Sequence, residues 1–247
     1  MSETRKILVI NGSPKKGASL TLRVTKAFVE GMLRIGGLEA EYVNVSDMNI
    51  KPCTGCLCCW GSTGGKCVLR GDDMEAFREK LLGSDFVIES FPIYFFGVPG
   101  PMKTMTDRLL GVMCSLYGRE SGEDYDIRHA MQFPKLGEKL AVITSCGFSD
   151  SAEVFEPVRS QFDLVFGKGN YTSFCCPQLK ALADKGSGQR FEKLLAGFAD
   201  AGEQFARTGS VDAETAERLS KAPFSARTYR VLMESFWNKK KAGDRDD

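Results

Sequence analysis

The chain reads as a doubly wound α/β protein: a five-stranded parallel sheet in the order 2-1-3-4-5, with a C-terminal helical extension. Three observations carry that reading. Short continuous apolar runs such as Ile7-Leu8-Val9-Ile10 recur as far as Cys175, as expected of strands buried on both faces. Helical patterns separate them, and alternating β and α elements imply parallel strands joined by crossover helices. Several runs end at Gly, Pro, Ser or Asn, in the loops where an open α/β sheet binds its ligands.

Taken in order, the first strand is Ile7–Ile10, closed by Asn11-Gly12-Ser13-Pro14. A helix follows from about Ser19 to Ile35, with Leu22, Phe28, Val29 and Met32 on one side and Gly36-Gly37 as its stop. Glu41 to Val45 alternates like a strand nearer the sheet edge. Asp72 or Asp73 is placed to cap a helix through Met74, Phe77, Leu81 and Leu82. Asp85 to Ser90 forms the third strand, and Met102 to about Leu116 is helical. A charged insertion, Gly118 to Pro134, precedes a fourth strand over Lys139–Thr144. A helix over Ala152–Phe166 leads to a last strand near Tyr171–Cys175. Beyond Ala181 the pattern is helical only, over Phe191–Phe205 and then Ala213–Trp237. We therefore expect a main domain over residues 1–208 and a helical extension over 209–247, with Lys239-Lys240-Lys241 as a solvated, frayed tail.

The 33 basic and 32 acidic residues nearly cancel, so nothing favours nucleic acid or an acidic membrane surface. The apolar run before Asn11 is only four residues long, Ile7–Ile10, too short for a signal-peptide core, and no stretch approaches a membrane span. With nine cysteines, an odd number, a complete intrachain disulfide framework is disfavoured. The expectation is a cytoplasmic protein whose thiols stay free or bind metal.

Five of those cysteines crowd into one loop, and Cys53, Cys56, Cys59 and Cys67 are spaced C-x2-C-x2-C-x7-C with no histidine nearby. Such sulfur ligands select zinc, copper(I) or iron–sulfur; the alternative is a run of thiols packed as small hydrophobes. Cys58 beside Cys59 makes the third ligand ambiguous. A thioredoxin-like pair of Cys53 and Cys56 would want a helix starting within it, and the following glycines argue otherwise. Trp60 could shield this loop, cover a cofactor or serve as a core anchor.

Three further loops carry chemistry. Gly12 to Thr21 is a Gly-rich turn entering a helix, with Ser13, Ser19 and Thr21 as hydroxyls suited to a phosphate and Lys15 beside them. Ala18 stands where a nucleotide-triphosphate loop would carry lysine, and no G-x-G-x-x-G occurs, so neither an ATPase nor a dinucleotide-type Rossmann site is supported. An ordinary Ser-capped turn is the plainer alternative. Pro92 to Pro101 sets Tyr94-Phe95-Phe96 among Gly and Pro. It can edge and cover a planar heterocycle or be a hydrophobic loop buried by the insertion or a partner subunit. Ser145-Cys146-Gly147-Phe148-Ser149-Asp150 follows the fourth strand, where Ser149 or Asp150 can cap the next helix. His129, the only histidine, lies in the insertion, reads as a surface residue, and gives no basis for zinc hydrolysis or Ser-His-Asp chemistry.

Together, Asn11-Gly12-Ser13-Pro14 with Ser19-Leu20-Thr21, the Cys53–Cys67 run, and Pro92 through Lys103 resemble the NADPH-dependent FMN reductase and iron–sulfur flavoprotein superfamily over about residues 5–175. The resemblance implies a flavodoxin-like fold, bound FMN, NAD(P)H as electron donor and a homodimer or homotetramer. By that likeness Ser13, Lys15, Ser19, Leu20 and Thr21 hold the FMN phosphate, while Pro92, Ile93, Tyr94, Phe95 and Gly97 line the isoalloxazine. Cys146 and Gly147 belong near the third flavin loop, and Cys53, Cys56, Cys59 and Cys67 fit the family's compact [4Fe–4S] motif. The implied activity is transfer of electrons from NAD(P)H through FMN to an unidentified acceptor. The alternative is an iron–sulfur flavoprotein relaying electrons between protein partners.

Overall fold

In the computed structural model, residues 4–112, 139–149, 152–184 and 188–241 are described. The strands are β1 (Arg5–Asn11), β2 (Leu38–Asn44), β3 (Phe86–Pro92), β4 (Leu140–Cys146) and β5 (Thr172–Pro177). All pair in parallel in the order β2-β1-β3-β4-β5, the flavodoxin-like topology expected from the sequence. The helices are α1 (Leu20–Leu33), α2 (Met74–Leu82), α3 (Gly100–Arg108), α4 (Ala152–Phe166), α5 (Leu179–Ala183), α6 (Gly188–Thr208), α7 (Ala213–Ser220) and α8 (Ala226–Lys241).

Alternation along β1 splits the core into two layers. Ile7 and Val9 face Phe28 of α1 and Phe198 and Phe205 of α6. Leu8 and Ile10 face Phe77, Met102, Met105 and Phe162 on the other side. A residue period of two sends neighbouring side chains to opposite faces, which is why an unbroken apolar run is needed here. Helices α1 and α6 cross with their backbones touching. A Cβ built on Gly31 would stand 1.7 Å from the Ala199 carbonyl oxygen, and one on Gly202 1.8 Å from that of Phe28. Any side chain at either glycine would force the helices apart.

Four expectations need correction. The second strand starts at Leu38, not Glu41, because Leu38 pairs with Arg5 at the start of β1; as an edge strand with much of its length exposed, it lacks the apolar run that marks the others. Asp73 makes no side-chain cap to α2; its carboxylate accepts from the Asn49 N–H instead, and Asp72 accepts from Met74 N–H. The expected helix over Ala213–Trp237 is two helices, broken where Pro223 has no N–H to continue the first. Lys239-Lys240-Lys241 is the last turn of α8 rather than a frayed tail.

Helix α3 ends at Arg108, and the remainder of the Met102–Leu116 expectation past Val112, the insertion 118–134 with His129, and Asp150 lie outside the described residues. Among the described residues no helix is long and apolar enough to cross a membrane.

Candidate active site

The C-terminal ends of β1, β3 and β4 open onto a cleft of about 660 Å³. Its floor is set by the turn after β1. Gly12 N–H bonds Ser90 O at 2.9 Å and Ser13 N–H bonds the Asn11 side chain at 3.2 Å, which pins the turn to the neighbouring strand. Ser19 caps α1 by accepting from the Leu22 N–H at 3.3 Å. The N–H groups of Leu20 and Thr21 are then left at the open helix end, where they and the helix dipole favour an anion. Thr21 Oγ1 lies 2.6 Å from Ser145 Oγ, and Thr25 donates to Ser90 Oγ at 2.8 Å, so buried hydroxyl pairs lock α1 to β3 and β4. Lys15 lines the cleft, whereas Lys16 turns away to pair with Asp47.

The aromatic loop rises on the other wall. Ile93 N–H donates to Ser145 O at 2.8 Å, and Tyr94 and Gly97 exchange backbone hydrogen bonds of 3.1 and 3.0 Å. That closes a two-residue turn in which Phe95 and Phe96 both adopt left-handed backbone, with φ of 49° and 60°. Bulky residues in that region cost on the order of 1–3 kcal/mol each. The turn ejects Phe95 wholly into solvent, while the Phe96 ring leans on Phe148 with centroids 5.8 Å apart.

The third loop is held from behind by Gln178, a fully buried residue in left-handed conformation. Its N–H donates to Cys146 O at 3.0 Å and its side-chain amide to Ser149 O at 3.1 Å. The Cys146 thiol is pushed up to about 11 by burial, so it is a neutral wall at physiological pH rather than a nucleophile.

The cysteine loop lies at the far end of α3. Cys53, Cys56, Cys59 and Cys67 line one small cavity with Arg108, and Cys58 stands outside that lining. Among the described residues no three thiols or carboxylates converge on a single metal ion. A tetrahedral zinc centre requires thiolates within about 2.3 Å of the metal, a convergence that the described thiols do not show. Arg108 is buried, paired with Asp72, and donates to Lys51 O at 2.7 Å. Its Nε has no hydrogen-bond partner. Burial lowers the guanidinium's pKa, but the Asp72 and Cys67 side chains more than reverse this. A fixed cation with an unspent donor beside four thiols fits an anionic sulfur-ligated group. Trp60 anchors the loop, donating from Nε1 to Leu110 O at 2.7 Å. Gly111 has no room for a side chain, since its Cβ would lie 2.3 Å from Gly65 O.

The comparisons with known proteins meet this geometry. The family model described as NADPH-dependent FMN reductase matches residues 5–167. The chain belongs to the NADPH-dependent FMN reductase family. An iron–sulfur flavoprotein of Archaeoglobus fulgidus is 37% identical over 119 residues, 47% of this chain and 52% of that protein. One of Methanocaldococcus jannaschii is 33% identical over 103 residues, 42% of this chain and 51% of its own length. The chain thus spans about half the length of the curated relatives it matches. An FMN-dependent NADH-azoreductase from Bacillus anthracis superposes with a TM-score of 0.57 at 18% identity, covering 82% of this chain and all of that one, a likeness of fold.

Within this FMN reductase family member, the cleft brings together Ser13, Lys15, Ser19, Leu20, Thr21, Pro92, Ile93, Tyr94, Cys146 and Gly147. Phe95 and Gly97 lie outside its lining, because the left-handed turn points Phe95 away. The sequence reading missed Ser145, which pairs with Thr21, and the residues that α5 and α8 contribute, among them Lys180, Phe236 and Lys240. No local motif announces these. The period of α8 offers a signal: Tyr229, Met233, Phe236 and Lys240 recur on its less exposed side.

Proposed function

We propose that this protein is an FMN-dependent NAD(P)H oxidoreductase that passes electrons from a reduced nicotinamide to a second acceptor. The observation that carries this reading is the single cleft. It joins an open helix N-terminus with clustered hydroxyls at one end to the Pro92–Tyr94 wall at the other. That is a phosphate site and a planar-ring site at one sheet edge. When bound, FMN would supply the redox chemistry, taking up hydride from the nicotinamide and releasing electrons to the acceptor. The chain's own residues bind and orient. Leu20 and Thr21 N–H groups with the Ser13 and Ser19 hydroxyls receive the phosphate, and Ile93 and Tyr94 flank the ring. No acid or base in the cleft is needed for proton transfer to an acceptor open to solvent.

A second reading, electron relay between protein partners, draws on the cysteine cavity and on the iron–sulfur relatives. Cys53, Cys56, Cys59 and Cys67 would hold a [4Fe–4S] cluster, with Arg108 offsetting its negative charge. Helix α3 links that loop to the aromatic turn, about 12 Å along its axis at 1.5 Å per residue. The described cysteines are all free thiols, in keeping with a reducing cytoplasm. The exposed Phe95, Phe96 and Phe148 favour a homodimer or homotetramer, since such aromatic surface is unfavourable in water.

Anaerobic addition of NADH or NADPH to FMN-loaded protein tests the main reading. The visible flavin band should bleach and return with air or a quinone. A flavin left oxidised by both nucleotides, yet reduced by ferredoxin, would favour the relay.

A further inference from the structure

Each backbone carbonyl in a loop beside a ligand cleft is either engaged by the protein or offered to the ligand. In the third loop the residues that line the cleft are Ser145, Cys146 and Gly147, and all three carbonyls are engaged. Ser145 O accepts from the Ile93 N–H at 2.8 Å and Cys146 O from the Gln178 N–H at 3.0 Å. Gly147 O accepts from the Tyr229 hydroxyl at 2.6 Å. Gly147 is exposed, and among the described residues its N–H has no backbone acceptor. The cleft-lining part of the loop thus has its acceptors used, and its uncommitted group is a donor.

Two of the three bonds come from chain beyond residue 167, where the family match ends. Gln178 follows β5, fully buried at a left-handed φ of 61°, a conformation uncommon for such a residue. Its side chain holds it there. Phe224 N–H donates to the amide oxygen at 3.1 Å, and the amide nitrogen reaches Phe224 O at 3.3 Å and Ser149 O at 3.1 Å. Phe224 lies two residues before α8, so this clamp fixes where α8 begins and brings Tyr229 to the loop. Tyr229 is itself buried. Burial raises its phenol above the ordinary value of 10, so the hydroxyl keeps its proton and donates. A separate bond, from the Cys175 N–H to Ser220 Oγ at 3.0 Å, ties α7 to β5 without touching the loop.

We propose that Tyr229 is a positioning residue of the flavin site: by engaging the Gly147 carbonyl it sets the third loop to meet the bound ring with a donor rather than an acceptor. The ligand this suits is a planar ring whose edge gains electron density, as a flavin does on reduction. A fixed donor stabilises charge that develops beside it, and a loosened carbonyl opposes that charge. Tyr229 lies outside the cleft lining, so it acts on the flavin through Gly147 and raises its reduction potential. The inference rests on the flavin reading above and brings α8, beyond the family match, into the site.

The test measures flavin midpoint potential, FMN and riboflavin dissociation constants, and stability in urea for wild type, Tyr229→Phe and Ser220→Ala. Tyr229→Phe removes one hydroxyl and keeps the buried ring. It should still bind FMN, yet at a fixed poise shift the oxidised-to-reduced ratio about tenfold toward oxidised flavin. That is a potential lower by about 30 mV for a two-electron couple. Any loss of affinity for oxidised flavin should be equal for FMN and riboflavin, since both present the same ring. Ser220→Ala loosens the extension away from the loop, so it should lower stability and leave the potential at the wild-type value. A Tyr229→Phe potential equal to wild type or higher, or a drop matched by Ser220→Ala, would reduce Tyr229 to a bond that docks α8. Either result overturns the proposal and leaves the flavin reading intact, as does a loss of affinity for FMN but not riboflavin. Wild-type protein that binds no FMN would take down both.

Discussion

The cleft and the cysteine loop are both ligand sites in prospect, yet they are built on opposite principles. The cleft is made from the ends of regular elements: strand C-termini, the first turn of α1 and a two-residue aromatic turn. Its space of about 660 Å³ exists before any ligand arrives. The cysteine loop runs between β2 and α2 without regular structure and turns on left-handed residues such as Gly55, Leu57, Gly64 and Gly65. Its fixed points are borrowed from α3, through Arg108 and the Trp60 bond to Leu110. On the proposed reading the first site would bind by preorganisation, whereas the second would couple binding to local order, as metal sites commonly do.

That contrast can be broken most severely at the loop. Anaerobic reconstitution with iron and sulfide should load about four irons per chain under the four-cysteine rule. Cys56→Ala should lower that number sharply and Cys58→Ala should leave it intact. Equal loss from both would place Cys58 among the ligands.

The anchor comes next. Arg108→Leu leaves the buried Asp72 carboxylate without its cation, and stability in urea should fall by about 3–5 kcal/mol. A change below about 1 kcal/mol would mean that the pair does not hold the loop.

A pH effect of comparable size arises in the core layer that α3 itself covers, beside Leu109 and Val112. Glu89 faces an apolar cavity beside Phe162 and Leu140, and burial raises its carboxyl to about 7. The unfolded chain ionises this group near its ordinary value of 4.5. Stability should therefore be greatest below that value, fall as pH rises, and level off above about 7, by up to roughly 3 kcal/mol. Glu89→Gln should flatten the slope. A wild-type stability that is flat or rising between pH 5 and 7, once the remaining groups are subtracted using that variant, would show that Glu89 is hydrated.

The smallest effects belong to the preorganised site, where several donors share the load. Ser13→Ala or Ser19→Ala should each weaken FMN binding by about 1–2 kcal/mol, with smaller changes for Lys15→Ala and for Thr21→Ala, whose hydroxyl is engaged by Ser145.

The same contrast governs what could be read from the sequence. Interior strands were legible because burial on both faces demands unbroken runs such as Ile7–Ile10, and the phosphate turn because Gly12 and Ser19 do local work. The edge strand β2 was misplaced since one exposed side weakens its pattern. Gln178 was invisible: a polar residue buried at left-handed φ has meaning only through the loops it joins. Lys240 looked like part of a charged tail because the period of α8 marks only which side turns inward, while its place at the cleft depends on where the helix lands.

The most direct measurement of the two-site account is flavin and iron content per chain, determined together on anaerobically prepared wild type, the Ser13→Ala/Ser19→Ala double variant and Cys56→Ala. The account predicts one FMN and about four irons in wild type, loss of FMN with iron retained in the hydroxyl variant, and loss of iron with FMN retained in the cysteine variant. Full FMN in the hydroxyl variant, titrated to the wild-type affinity, would place the flavin elsewhere and contradict it.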